Sequence, residues 1–492
     1  MAGTRQFIER HQLWSDEQQA AAGGIEAELD GLEMVRVSWP DQHGLLRGKS
    51  LSAAAFRAAL ANGIEITMAP FCFDTANDIV FNPFIPGGGF GIPELSGSPN
   101  IFMVPDPTTF KVLPWADRTG WVLADLYLRD GSPFPFAPRN ILRQALAALS
   151  GDGYQFVAGL EVEWYLSRLV DPMLAPEHLG GPGVPAAPPQ VMPVAHGYSY
   201  MAEAHLDEID SLLEPLRRTL IGLRLPLRTF DDEWGPGQVE TTFDVLPGLD
   251  CADAMVLFRS ATKQIARRAG HLATFMCQPA IAGFCSSGWH LHMSLADREG
   301  QNAFTPAAGE PLSAVGRHFV AGLLERGPAA SVFTTPTING YRRRRPYSLA
   351  PDRATWGFDN RGAMIRVISN PDDPTSHIEN RVGEPAANPY LYVASQVMAG
   401  WDGVQNKLEP PPMSEAPYAQ TDQPLLPATL WEAVDVLKVD PFYRARFGDT
   451  FIDYLVTMKE NEVKRFQKAV GVGTVMPDEV SEWEHNEYFE LF

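Results

Sequence analysis

Residues 159–164 read Gly-Leu-Glu-Val-Glu-Trp, and residues 289–294 read Trp-His-Leu-His-Met-Ser. Both alternate apolar with polar residues, and a strand sends successive side chains to opposite faces. Glu161 and Glu163 therefore share one face while Leu160, Val162 and Trp164 share the other. His290, His292 and Ser294 separate from Trp289, Leu291 and Met293 in the same way. Gln238-Val239-Glu240-Thr241, with Glu233 just upstream, and His377-Ile378-Glu379-Asn380-Arg381 repeat the pattern. One such strand is ordinarily a solvated sheet face, and such faces carry Lys and Thr as well. Four in one chain, each gathering Glu or His against a clean apolar back, predict a sheet with a metal-competent face. Glu-rich ligation suits hard divalent ions, Mg²⁺ or Mn²⁺. His290-x-His292 is at most half a zinc site, since no cysteine or third histidine stands at ligand spacing.

The chain around these strands has 492 residues, 45% hydrophobic and 20% charged, which is ordinary for a globular protein and long enough for two unequal domains. Its net charge of -21, from 39 basic and 60 acidic residues, excludes a general nucleic-acid binder, which needs a basic face. Cys72, Cys251, Cys277 and Cys285 are scattered without a CxxC pair, as expected in a reducing cytoplasm. The N-terminus is polar, and no stretch is long and apolar enough to span a bilayer, so no membrane partner is expected.

Residues 1–30 predict a polar helical arm. Alternation from Glu33 through Val35, Val37 and Trp39 predicts a strand closed by the turn Pro40–Gly44. Short strands and Gly/Pro loops continue to about residue 128, and the run GGGFG is a turn rather than a phosphate loop, because no helical pattern follows it. Pro138 opens a helix that stops at Gly151. The domain boundary is therefore placed at 132/133, giving an arm (1–30), a small domain (31–132) and a large domain (133–492). Helices are expected at 252–269, 313–326 and 428–437, and residues 180–193 are expected to form a Pro/Gly surface loop. A cationic group, Arg342-Arg343-Arg344-Arg345, then Arg361, Arg366 and Arg381, sits in this acidic chain as a clamp for phosphates and carboxylates. Carboxylates for metals with arginines for anions are what phosphoryl transfer requires.

With these pieces in order, the chain resembles the class I glutamine synthetase family from about residue 30 to its end. The matching stretches are Asp41-Gln-His-Gly-Leu-Leu-Arg-Gly-Lys, Val104-Pro-Asp-Pro-Thr-Thr, Gly159-Leu-Glu-Val-Glu, Glu233-Trp-Gly-Pro-Gly-Gln-Val-Glu, Ser287-Gly-Trp-His-Leu-His-Met-Ser, Asn339-Gly-Tyr-Arg-Arg, Asn360-Arg-Gly-Ala-Met-Ile-Arg and Ile378-Glu-Asn-Arg followed by Ala-Ala-Asn-Pro-Tyr-Leu. The resemblance implies an α+β fold: a small N-terminal β-grasp domain and a large catalytic domain with a curved antiparallel sheet flanked by helices. It implies that Glu163, Glu233 and Glu240 hold one metal and Glu161, His290 and Glu379 another. By the same resemblance Arg343 and Arg381, beside His290, bind L-glutamate. Arg361 and Arg366 neutralise the transferring phosphoryl group, and Ser294, His292 and Arg366 lie near ATP. Asp41 reaches the amine from a neighbouring subunit, in a homo-oligomer of two stacked hexameric rings.

The departures from the family carry information too. The family's ATP-signature stretch opens with lysine and contains Asn-Gly, where this chain has Gln278-Pro279 and Cys285-Ser286, and an arginine two residues before Glu379 is His377 here. The family's flap carries a glutamate that takes a proton from ammonium. Counting back from Arg366 without gaps places Leu349 there, in Arg-Pro-Tyr-Ser-Leu-Ala-Pro, with Asp352 as the nearby substitute if the register slips. Tyr418 falls near the family's adenylylated tyrosine in an unfamiliar context. The expected function is therefore an ATP-dependent ligase joining the γ-carboxylate of L-glutamate to an apolar or aromatic amine other than ammonia. Phe71, Phe73, Trp289 and Trp356 are candidates to line the amine pocket. Alternatives are glutamine synthetase proper, a γ-glutamylpolyamine synthetase, and a catalytically silent ring protein.

Overall fold

The computed structural model describes residues 6–420, 422–471, 473, 476 and 479–492. The alternation beginning at Met34 builds a first sheet from β1 (Met34–Pro40), β2 (Leu46–Ser52), β3 (Ile64–Thr67), β4 (Asn100–Pro105), β5 (Lys111–Val112) and β6 (Thr119–Tyr127). Their order is β2-β1-β6-β4-β3, with β5 on β6, and only β1 and β6 run parallel. The helix Ala53–Asn62 buries Phe56, Ala59 and Leu60. The arm is two helices, Phe7–His11 and Asp16–Leu29, because Ser15 and Gln18 form a capping box that starts a second helix after a break. It is also docked: Phe7 stacks on Phe102 at 4.1 Å, and Trp14 Nε1 donates to Pro105 O at 2.9 Å.

The second sheet is assembled on one long strand, β7 (Gln155–Asp171), from β8 (Gln190–Pro193), β9 (Leu227–Asp232), β10 (Gln238–Phe243), β11 (Leu246–Pro247), β12 (His271–Thr274), β13 (Trp289–Ala296), β14 (Trp356–Phe358), β15 (Ile365–Ile368) and β16 (His377–Asn380). The main path is β14-β15-β16-β13-β7-β10-β9, antiparallel except between β14 and β15. β8 is a correction to the expected 180–193 loop: four residues, too short to show a period, add an edge strand to β7. The fold is thus α+β, with an antiparallel sheet backed by helices.

Three of those helices are Gly248–Arg268, Ala314–Thr334 and Pro389–Asn406. The second outruns its expected end at 326 by passing through Pro328. An internal proline costs about 3 kcal/mol, and burial of Val332 and Phe333 in the last turn offsets it. This helix packs on Pro389–Asn406 at very short range, since a Cβ added to Gly322 would lie 2.0 Å from Ala399 O. Glycine is required there by close approach.

One continuous apolar core runs beneath both sheets. The joint between them is polar. Arg139, 2% exposed, donates to Asp106 (2.8 Å) and Asp125 (2.7 Å) of the first sheet's region and to Asp253 (2.9 and 2.7 Å) of the helix Gly248–Arg268. Among the described residues no helix is long and apolar enough to cross a membrane.

Candidate active site

The registers of β10, β7, β13, β16 and β15 align their polar residues in a row across the sheet. Glu240 lies opposite Glu163, Glu161 opposite His290, His292 opposite Glu379, and Glu379 opposite Arg366. Directly opposed side chains on one face have Cβ atoms about 4.5–5.5 Å apart, which brings residues distant in sequence to one spot. The apolar backs of the same strands, including Val162, Trp164, Leu291 and Ile378, are buried in the core.

At the centre Glu161 bridges two histidines, with its Oε1 2.6 Å from His290 Nδ1 and its Oε2 2.9 Å from His292 Nε2. Glu379 lies 3.5 Å from His290 Nδ1. Two sets of ligand atoms are close enough for a metal ion: Glu161, Glu240 and His290, and Glu161, His292 and Glu379. His292 therefore belongs geometrically with the carboxylates as well as with the expected nucleotide side. On its far edge, His292 Nδ1 is 3.0 Å from His377 Nε2, and His377 Nδ1 is 2.6 Å from Thr375 O. His377 thus orients His292 where the family has an arginine. Ser294 continues the same face beyond His292, opposite Val157.

Electrostatics divide the acids into two groups. Burial pushes Glu161 and Glu379 up. The His290 and His292 hydrogen bonds outweigh it for Glu161, and His290 with Arg381 outweighs it for Glu379, so both stay below the ordinary range. Glu240 has no such compensation, and what Arg343 and Gly288 N give Glu163, and Trp234 N gives Glu233, does not outweigh burial. Burial first, then repulsion by neighbouring carboxylates, pushes Glu163 up to about 8, Glu233 to about 7 and Glu240 to about 10. Crowded carboxylates that resist ionisation are the donor set a divalent cation satisfies, so these residues fit the metals the family resemblance implies.

The arginines sort by partner. Arg342 is buried in a two-pronged pair with Glu484 (3.1 and 2.6 Å), and Arg344 donates to Ser331, Thr335 and Pro427 O, so both serve the fold. Arg343 reaches the site, with one nitrogen on the carbonyls of Arg381 and Gly383 and the other 3.4 Å from His290 Nε2. Arg381 pairs with Glu379 and donates to Arg361 O at 3.1 Å. Arg366 joins Glu379 (3.1 Å) to Asp359 (2.6 Å), and Arg361 is exposed.

Asp41 is placed otherwise than a free carboxylate would be. It is fully buried, and accepts from His43 N (2.9 Å), Leu45 N (3.0 Å) and Arg47 Nε (2.8 Å) in its own turn. Reaching an amine would require it to change partners. The suggested pocket aromatics are mostly core: Phe71 and Trp289 are fully buried and Trp356 is 4% exposed, packed on neighbours such as Phe134 and Tyr392. Phe73 is half-buried against the same core. Exposed aromatics include Tyr200, Trp234 beside Glu233, and Tyr347, with exposed Leu349 near the last. Sequence alone gave no signal for these three, because an isolated aromatic in a loop has no period to read.

Residues 135–475 match the glutamine synthetase catalytic domain. The chain belongs to the glutamine synthetase family, as an ATP-dependent C–N ligase of that family. Within it, the chain is 54% identical over 494 residues to the γ-glutamylanilide synthase of an Acinetobacter species, with 99% of each covered. It is 31% identical over 463 residues to the γ-glutamylethanolamide synthetase of Streptomyces coelicolor, covering 93% of each. The ligand-free GmaS structure superposes with a TM-score of 0.75 at 25% identity, covering 94% of this chain and 97% of that one.

Proposed function

We propose that this enzyme joins the γ-carboxylate of L-glutamate to an aromatic primary amine, converting ATP to ADP and phosphate and releasing a γ-glutamylarylamide. The observation that carries this reading is Leu349, 62% exposed on the flap where the resemblance expects a proton-accepting glutamate. An alkylamine, with a pKa roughly that of lysine near 10, must lose a proton before attacking. An arylamine is already neutral at pH 7, because its lone pair is delocalised into the ring, and needs no carboxylate there. The high identity to a γ-glutamylanilide synthase supports the same class of amine.

A carboxylate is a poor acyl electrophile because oxide is a poor leaving group. The γ-carboxylate oxygen attacks the terminal phosphorus of ATP, ADP leaves, and the resulting acyl phosphate accepts the amine nitrogen. The C–O bond then breaks, phosphate leaves, and the nitrogen's proton passes to phosphate or solvent. Glu163, Glu233 and Glu240 would hold one Mg²⁺ or Mn²⁺, and Glu161, His290 and Glu379 the other. Bound there, the ions supply charge neutralisation at the phosphate oxygens. Arg343 and Arg381 orient glutamate, Arg361 and Arg366 offset the charge of the moving phosphoryl group, and Ser294 and His292 line the nucleotide side. We place the arm at residues 1–30 and the domain boundary at 132/133, with subunits in two stacked hexameric rings.

The test is kcat/KM for ammonium, isopropylamine, a polyamine and aniline, in the wild type and in Leu349→Glu. Aniline is expected to lead, and Leu349→Glu to move the preference toward ammonium by about tenfold, roughly 1.4 kcal/mol. If ammonium leads in the wild type, the enzyme is a glutamine synthetase. If a polyamine leads, the apolar flap has been misread. ATP turnover with none of them would make it a silent ring.

A further inference from the structure

An arylamine must place its ring as well as its nitrogen, and the flap offers a surface for it. In Arg345-Pro346-Tyr347-Ser348-Leu349-Ala350, both Tyr347 (φ 63°) and Leu349 (φ 60°) are left-handed. Each is a strained conformation for a residue bearing a Cβ, and such outliers collect where a site is held ready. Ser348 Oγ fastens the turn by donating to Arg343 O at 3.0 Å, and Ala350 is buried at its end. The two apolar side chains are consequently turned outward, Tyr347 82% and Leu349 62% exposed.

A third side chain comes from a distant segment. Tyr418 donates its hydroxyl to Ala350 O at 3.3 Å, and its ring lies 5.1 Å from that of Tyr347. The ring also covers Gly362, where an added Cβ would stand 3.1 Å from it. Gly362 follows Arg361, whose carbonyl accepts from Arg381 Nε at 3.1 Å. Asn360 Nδ2 ties the same loop to Ser414 O (3.2 Å) and Glu415 O (3.3 Å). Tyr418 is thus a strut between the flap and the loop of Arg361, within electrostatic reach of Arg381 and Arg343.

We propose that Tyr347, Leu349 and Tyr418 form the aryl subsite: the ring packs on the open face of the tyrosine pair, Leu349 covers its edge, and the amino group points toward glutamate held at Arg343 and Arg381. This rests on the arylamine reading above. An aromatic pair strengthens binding by roughly two- to tenfold beyond the area it buries, whereas an alkylamine has no ring face to offer.

The experiment compares aniline with isopropylamine in Tyr347→Leu, Tyr418→Leu and Tyr418→Phe. The leucine variants keep apolar area and remove the ring. They are expected to lower kcat/KM for aniline about tenfold, mostly through the KM for the amine, and to change isopropylamine by less than about threefold. Tyr418→Phe, which loses only the bond to Ala350, is expected to keep the aniline preference. N,N-dimethylaniline, which cannot form the amide, should compete with isopropylamine, and about tenfold more weakly in the leucine variants. Tyr347 is exposed enough that its replacement leaves the core untouched. If aniline and isopropylamine fall together, or neither falls, the aryl subsite is refuted while the arylamine reading stands. If wild-type enzyme does not use aniline at all, that reading fails and the subsite with it.

Discussion

Replacing Glu163 with glutamine separates what its carboxylate does to the metal-free fold from what it does for the reaction. In the metal-free protein, burial and then Glu233 push this carboxyl from 4.5 up to about 8. A carboxyl raised in this way binds more protons in the folded than in the unfolded state, so its penalty grows as pH rises above 4.5. At pH 7 a raise of this size corresponds to roughly 3 kcal/mol of destabilisation, at 1.36 kcal/mol per unit. Glutamine removes the charge yet keeps an acceptor for Gly288 N, now 3.0 Å from Glu163 Oε2. The metal-free Glu163→Gln protein is therefore expected to be more stable than wild type by about 2–3 kcal/mol at pH 7, and by almost nothing near pH 4.5. Urea unfolding in EDTA at the two pH values measures this. With metal and ATP supplied, the same variant is expected to lose ligation by a factor of 10³ or more, about 4 kcal/mol in the barrier. A variant destabilised at pH 7 in EDTA, or active within about tenfold of wild type, would refute the reasoning.

Wild-type protein stripped of metal should lose thermal stability steadily from pH 5.5 to 8.5, because Glu163, Glu233 and Glu240 are all raised; Mg²⁺ or Mn²⁺ should restore more at the higher pH, which calorimetry with and without EDTA reads directly. Arg342→Met should cost about 3–5 kcal/mol of stability by stranding buried Glu484, whereas Arg343→Ala should fold normally and raise the KM for glutamate. Asp41→Ala and Glu163→Ala subunits, each inactive alone, should recover activity when co-assembled. No recovery from verified mixed rings would confine the site to one chain.

The strands of the site were legible because alternation is local: two glutamates or two histidines one residue apart must share a face. Register is not local. Nothing in the sequence states that His292 lies opposite Glu379, or that Glu161 stands between two histidines, so the grouping of His292 with the carboxylates emerged only from strand pairing. The arginine run shows the same limit. Four adjacent cations look equivalent in sequence, yet Arg342 and Arg344 turn into the fold and Arg343 into the site. Leu349 could be located by counting from Arg366. Its aromatic neighbour could not, because Tyr418 is brought to the flap by a loop closure that leaves no periodic trace.

Arg139 sets a limit on how this chain can be divided. Its cation pairs with carboxylates on both sides of the joint, so cutting the chain near residue 132 would take from Asp106 and Asp125, 2% and 4% exposed in the intact chain, both Arg139 and the neighbouring Arg143. An unpaired buried carboxylate costs several kcal/mol unless it protonates. The amino-terminal piece expressed alone should therefore be an acid-favouring fragment, ordered at low pH and loosening toward neutrality. In the intact chain the same anchor ties the first sheet's region to the helix Gly248–Arg268 behind the second.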